Sequence, residues 1–273
     1  MFLRMPFGGL WMRHDALLDR FLAAVLLPLV LALMGVLWLI LVPVQGRPFL
    51  YASERMRGPG RAFMLYKIRT MHPPDRRSEE SVLGGDLAGR VTQVGRVLRR
   101  YRLDELPQIL NVLKGEIRFI GPRPPLRKYV EAYPGLYREV LAVPPGITGL
   151  ATVTLHAREE RILARCRTAA ETDIVYRRRC LPVKARLDLI YRDNRGPALD
   201  AWILYRTVAG LRGGGRTAQR AAPHPVASAA AALSLSGRSS ASEVAAGVAG
   251  RLRRAPGSVS AAAAPAPVLT PAK

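Results

Sequence analysis

The longest apolar pattern comes early. From Phe21 to Val44 the chain reads FLAAVLLPLVLALMGVLWLILVPV without a charge, enough for a helix to cross ~30 Å of hydrocarbon. It is longer than the apolar core of a secretory leader, and no small-residue cleavage site follows it. Arginines flank both ends: Arg4, Arg13 and Arg20 before, Arg47, Arg55, Arg57 and Arg61 after. Positive flanks mark the cytoplasmic side, and here both carry the mark. Pro28 removes a helical N–H and crowds the preceding turn, a cause of sharp bending. A re-entrant, Pro-kinked membrane helix that enters and leaves on one face satisfies both observations. A straight span is the alternative, because Asp15 and Asp19 dilute the N-terminal positive signal.

Beyond this run the pattern shortens. Phe63–Met71 (FMLYKIRTM) alternates, and its aromatic and branched residues predict a strand. Val91–Leu103 places Val94, Val97, Leu98 and Tyr101 at helical spacing, with arginines on the other faces. ILNVLK before Gly115 predicts a short helix with a glycine C-cap, and LYREVLAV and the stretch from Ile174 to Arg206 are also helical. Gly/Pro turns (RGPGR, GPRPP, VPPGITG) separate these pieces. The fold class is α+β and mainly helical: a hydrophobic N-terminal helix, then a small membrane-surface catalytic domain with short strands. The divisions are an N-terminal tail at 1–14, a membrane anchor at 15–46, a cytoplasmic domain at 47–212 and an Ala/Pro/Ser-rich tail at 213–273. The composition of that tail predicts disorder, since it buries too little surface to offset its ordering entropy.

Charge narrows the partners. The formal net charge is +22 with a pI near 11.3, so an anionic partner is implied: phosphate-rich substrate, nucleic acid or acidic lipid. Aromatic residues are not interleaved with the basic ones as a base-stacking platform requires, so no nucleic acid is expected, whereas anionic membrane lipids are. The two cysteines, Cys166 and Cys180, form no CxxC motif, and the four histidines show no zinc spacing.

Against this basic background Asp104 and Glu105 stand side by side in YRLDELPQILNVLKGEIRFIGPRPP. Acidic residues and Pro107 suit the first turn of a helix, and that position is expected to keep a carboxylate ionised by lowering its pKa. Arg96, Arg99, Arg100, Arg102, Arg118 and Arg123 surround the pair in sequence. Guanidinium groups fork onto phosphate oxygens, which suits phosphoryl transfer. Arg123 lies between Pro122 and Pro124, so its backbone is held.

YKIRTM, the whole run VTQVGRVLRRYRLDELPQILNVLKGEIRFIGPRPP and VPPGITGLATV resemble, in order, the motifs of the bacterial sugar transferase family, the monotopic phosphoglycosyl transferases. The likeness runs from about Asp15 to Leu211 and takes in ERMRGPGRAF and YRRRCLPVKARLDLIYRDNRGPALDAWILYRT. It implies transfer of a sugar-1-phosphate from a UDP-sugar to undecaprenyl phosphate, with release of UMP. That is the first membrane step in making exopolysaccharide, O-antigen or capsule, and downstream glycosyltransferases would follow it. By resemblance Asp104 is the nucleophile that forms a covalent phosphosugar intermediate, Glu105 is its partner, and Mg2+ sits at Asp104 and Glu105. Lys67, Arg69, Arg99 and Arg123 match phosphate- or substrate-binding positions, with Ile68 replacing an aromatic. Pro145, Gly146 and Thr148 match a loop that shapes the site. The resemblance further implies a bacterial inner-membrane protein with its catalytic domain in the cytoplasm. With no multi-pass region ahead of the anchor, a small member of the family is expected. TLHAREE (Thr154–Glu160) departs from the Gly-Arg-Asn pattern frequent in the family, which leaves the donor sugar open. A non-enzymatic, membrane-anchored basic binder and an inactive family member are the competing readings.

Overall fold

The computed structural model describes residues 8–72 and 90–212, with side chains for 16–72 and 90–211; the 213–273 tail lies outside the described residues. The apolar run forms α1, Gly8–Gln45, which starts inside the stretch expected as a tail and runs as one helix through Pro28 and Pro43. Ala16–Gln45 is long and apolar enough to cross a membrane. It is not an ordinary core helix, since Phe21 and Leu29 are each 68% exposed. One stripe of α1 does pack inward. Ala23, Leu26, Leu27 and Val30 meet Phe63, Leu65, Ile109, Val112 and Ile117. Further along, Leu37 and Leu41 meet Phe49, Ile68, Val94 and Leu98.

Polar ties secure both ends of α1 to the rest of the chain. Near its start Asp19 pairs with Arg118 at 2.5 Å. At its end the Gln45 side chain accepts a hydrogen bond from Thr92 at 2.8 Å. These ties and the inward stripe dock one side of α1 against the region that follows it.

The hairpin that follows pairs β1 (Leu50–Gly58) antiparallel with β2 (Arg61–Ile68) across the Pro59-Gly60 turn. The expected strand Phe63–Met71 therefore begins earlier and stops at Ile68. Its partner β1 was not foreseen, because the charges of Glu54, Arg55 and Arg57 hide its alternation. Helix α2 covers only Gln93–Arg100, with Thr92 accepting from the Gly95 N–H at its start. It cannot continue to Leu103, since Arg102 takes the left-handed conformation at φ 54° and turns the chain. Leu103–Gln108 then forms a 3-10 helix, and α3 (Ile109–Lys114) ends at Gly115 in a left-handed C-cap.

Strands β3 (Arg118–Ile120) and β4 (Gly146–Thr148) pair in parallel, with α4 (Arg127–Ala132) and α5 (Pro134–Val140) between them. After β4 come α6 (Leu150–Leu163) and α7 (Ala169–Val175), a single π turn at Tyr176–Cys180, then α8 (Leu181–Asn194) and α9 (Pro197–Arg212). The helical stretch expected from Ile174 to Arg206 is thus broken at Arg195-Gly196, where the backbone leaves the helical region. The largest cluster joins Met56 of β1 to Tyr129, Leu136, Tyr137, Leu181 and Leu189. A mostly helical fold with a few short strands results, as the sequence implied.

Candidate active site

The left-handed turn at Arg102 aims the 3-10 helix at the end of β2 and buries both acidic residues: Asp104 is 7% exposed and Glu105 9%. Neighbours in sequence, they meet different surroundings. Glu105 accepts from Arg123 Nη2 at 2.6 Å and lies 3.5 Å from Lys67 Nζ, both through Oε1, while Oε2 faces Arg102 Nη1 at 3.4 Å. Burial works to raise its pKa, but Arg123, Lys67 and Arg102 together overcome it and hold the carboxyl well below the usual range. Asp104 has no hydrogen bond or ion pair among the described residues. Burial raises its pKa, Glu105 adds to the rise, and the pull of Lys67, Arg99 and Arg123 does not cancel it. The expected lowering by a helix start is therefore corrected: a six-residue 3-10 turn supplies little dipole, and desolvation dominates.

Each cation is placed by a different element. Lys67 lies near the end of β2, which Asn111 of α3 grips on either side of Leu65. The fully buried Asn111 accepts from the Tyr66 N–H at 3.2 Å, and it donates to Met64 O at 2.8 Å and to Glu116 at 2.6 Å. Burial, then the charge of Arg123, brings the Lys67 pKa down to about 8 despite both carboxylates. Arg99 lies in the last turn of α2 and donates from Nε to Thr70 Oγ1 at 2.9 Å.

Arg123 projects from a loop locked by backbone bonds. The Gly121 N–H donates to Thr148 O and the Gly146 N–H to Pro122 O, each at 2.8 Å. Gly121, Gly146 and Gly149 approach so closely that a Cβ on any of them would collide with the facing backbone. The GPRPP and PPGITG loops form one frame, with Pro122, Pro124, Gly146 and Thr148 buried in it and Arg123 Nη1 also reaching Ile147 O at 3.5 Å.

The structure thus gathers Asp104, Glu105, Lys67 and Arg123, sets Arg99 within electrostatic range of Asp104, and builds the frame from Pro122, Pro124, Pro145, Gly146 and Thr148. Arg69 is placed elsewhere. Its guanidinium donates to Pro48 O at 2.8 Å, Gln45 O at 2.5 Å and Gly46 O at 2.7 Å, tying down the end of α1 instead of meeting the pair. Arg102 was legible only as one arginine among many; that it faces Glu105 follows from its backbone turn. TLHAREE also reaches the site: His156 lies within electrostatic range of Arg102 and Arg123, and Glu160 within range of Arg99.

No cluster of three metal-ligating side chains occurs among the described residues. Magnesium typically takes one or two carboxylates and draws its remaining ligands from water and substrate phosphates. Asp104 fits that pattern, whereas Glu105 has both oxygens engaged by cations, so direct ligation by Glu105 would require displacing them.

The family profile described as bacterial sugar transferase matches residues 12–213, and the chain belongs to that family. Among its relatives is the Aeromonas hydrophila UDP-N-acetylgalactosamine-undecaprenyl-phosphate N-acetylgalactosaminephosphotransferase, 32% identical over 70% of this chain and 42% of the relative. The Caulobacter vibrioides UDP-glucose:undecaprenyl-phosphate glucose-1-phosphate transferase is 40% identical over 47% of this chain and 49% of its own. An uncharacterized sugar transferase, EpsL of Bacillus subtilis, is 41% identical over 40% of this chain and 52% of its own. The chain spans about half the length of the curated relatives it matches.

Proposed function

We propose that the protein transfers a sugar-1-phosphate from a UDP-sugar to undecaprenyl phosphate at the start of an exopolysaccharide or related surface-glycan pathway. The observation that carries this reading is the contrast within the acidic pair: Glu105 is neutralised by three cations, and Asp104 is left unpaired beside them.

An Asp104 oxygen attacks the sugar-bearing phosphorus of the donor. The P–O bond to the uridine monophosphate breaks, and UMP departs with the bonding electrons. A phosphate oxygen of the polyprenyl acceptor then attacks the same phosphorus and expels Asp104, restoring the carboxylate. Covalent catalysis of this kind separates a soluble donor from a lipid acceptor in time. Lys67, Arg99 and Arg123 bind the phosphoryl oxygens, and Glu105 holds Arg123, Arg102 and Lys67 in place so that they are preorganised for charge that develops there. Magnesium held by Asp104 and the donor oxygens would supply further neutralisation of that charge. In this reading His156 and Glu160 of α6 meet the sugar or nucleotide.

The proposal includes a re-entrant anchor at the bacterial inner membrane with the catalytic domain cytoplasmic. Ala16–Gln45 is 30 residues, about 45 Å as a helix, and the domain lies beside both ends of it. An upright span would draw Asp19, Arg118 and their neighbours into hydrocarbon, which is costly. Shallow entry with a bend at Pro28 leaves both ends at one surface.

The test uses purified protein with Mg2+, undecaprenyl phosphate and a panel of UDP-sugars, beginning with glucose, galactose and their N-acetyl forms. UMP release with at least one donor is expected, together with a trapped phosphosugar adduct that Asp104→Asn abolishes. A folded preparation that releases UMP from none of them overturns the reading.

A further inference from the structure

We propose that Ser53 and Arg55 of β1 form an additional phosphate-holding subsite, extending the cationic wall of the active centre past Arg123; this rests on the transferase reading. The hairpin register sets Tyr51 opposite Lys67, Ser53 opposite Leu65 and Arg55 opposite Phe63. Directly opposed residues project from the same face of a sheet, as do residues two apart. Ser53 and Arg55 therefore share a face with Lys67.

On either side of Arg55 the strand is stitched to the start of α4 and to the loop that carries Arg123. Glu54 takes two bonds from Arg127, at 2.6 and 3.0 Å, and the Met56 N–H donates to Pro125 O at 3.0 Å. Arg55 lies within electrostatic range of both Arg123 and Lys67.

Arg55 itself has no carboxylate partner among the described residues. Several other arginines do, among them Arg123 with Glu105, Arg118 with Asp19, Arg127 with Glu54 and Arg192 with Glu139, whereas Arg69 and Arg99 bond to neutral oxygens. Burial, with Arg123 adding to it, brings the Arg55 pKa down to about 10 against the opposing effect of Tyr176, Tyr51 and Tyr129. Ser53 is 8% exposed, and its Oγ has no hydrogen-bond partner. A partly buried guanidinium without a counter-ion and a buried hydroxyl without a partner both cost stability. Each becomes favourable when an oxyanion accepts their hydrogen bonds.

Charge balance points the same way. Lys67, Arg102 and Arg123 carry three positive charges against the two carboxylates Asp104 and Glu105, which leaves one unit. A diphosphate donor brings more negative charge than that. Arg99, within range of Asp104, and Arg55, within range of Arg123 and Lys67, add two more positive charges, so the group matches or exceeds the charge of a diphosphate donor. The ligand class is a phosphate ester, and both the nucleotide donor and the polyprenyl phosphate acceptor present one.

The test compares wild type, Arg55→Met, Arg55→Lys and Ser53→Ala as full-length protein in lipid nanodiscs. Affinity for UDP and for a short-chain polyprenyl phosphate is measured by calorimetry, alongside thermal melting and turnover. Arg55→Met is expected to weaken one probe about tenfold or more, the loss of a charge-assisted hydrogen bond, with an unchanged or raised melting temperature. Weakened UDP binding assigns the subsite to the donor; weakened lipid phosphate binding assigns it to the acceptor. Arg55→Lys should fall between, because it keeps the charge without the fork, and Ser53→Ala should weaken the same probe less. Unchanged affinity for both probes overturns the inference, and so does a lowered melting temperature in Arg55→Met, which would make the residue structural. A wild type that binds both probes normally but releases no UMP overturns the transferase reading alone, and the binding data still decide the subsite.

Discussion

Glu105 and Arg123 meet at 2.6 Å, eighteen residues apart in sequence, and this contact divides the labour of the acidic pair. Two adjacent buried carboxylates repel each other. The repulsion is tolerated because one of them is fully committed to cations. What remains is an Asp104 carboxylate that is buried, unpaired and made more basic than an ordinary aspartate, a suitable condition for a nucleophile.

The division predicts opposite stability effects for two isosteric substitutions. Asp104→Asn removes an unpaired buried charge, so it should abolish turnover while keeping or raising the melting temperature. Glu105→Gln strands three cations, and breaking such a buried pair costs about 3–5 kcal/mol. It should lower the melting temperature as well as kcat/KM. Melting curves and turnover measured on the two variants side by side check both statements.

The profile of kcat/KM against pH should have two limbs. As pH rises through about 8, Lys67 loses its proton and donor affinity declines; Lys67→Arg, always charged, should remove this limb. On the acid side, Asp104 protonates at a higher pH than an exposed aspartate because its pKa is raised. The acid limb should therefore sit at higher pH than an exposed aspartate would give. The profile for the free enzyme is the relevant one, since a bound anion shifts both groups.

Gly146→Ala should damage the site without touching a charged group. A Cβ there runs into the backbone at Ile120 and Gly121, so the two loops must separate and Arg123 moves with them. Misplacement of about 1 Å can cost about 100-fold in rate. A loss of that order is expected, with a smaller loss from Pro145→Ala, which leaves the crossing open.

Asp188 provides a check away from the chemistry. It is 6% exposed, and burial pushes its pKa up to about 7, with Lys184 only partly opposing. The folded state binds more protons here than the unfolded chain between the usual aspartate pKa and about 7. Stability therefore falls as pH rises through that window, and the cost is fully present above it. Asp188→Asn should raise stability by about 2–4 kcal/mol at pH 8 and by little near pH 4, as read from denaturant curves at the two pH values.

Several features were legible in the residue order. The uncharged run of α1, the Gly115 cap of α3, the strand character of β2 and the ordered motifs around Asp104-Glu105 are local, and local patterns survive into the structure because nothing distant competes with them. β1 escaped detection because its charged residues interrupt the apolar alternation and what they meet lies far along the chain, as Glu54 meets Arg127. Helix α2 was read too long because helical spacing alone cannot show that Arg102 turns left-handed.

The sequence by itself determined the class of the fold, the apolar helix and the cluster of arginines about two carboxylates. Tertiary structure decided which of those groups are committed and which are available. Arg69, two residues from Lys67, is captured by carbonyls at the end of α1, while Lys67 turns to Glu105. Asp104 stays unpaired because Arg123 reaches Glu105 instead. Charges at a distance in sequence compete for the same partners in space, and only the packed chain settles which pairs form.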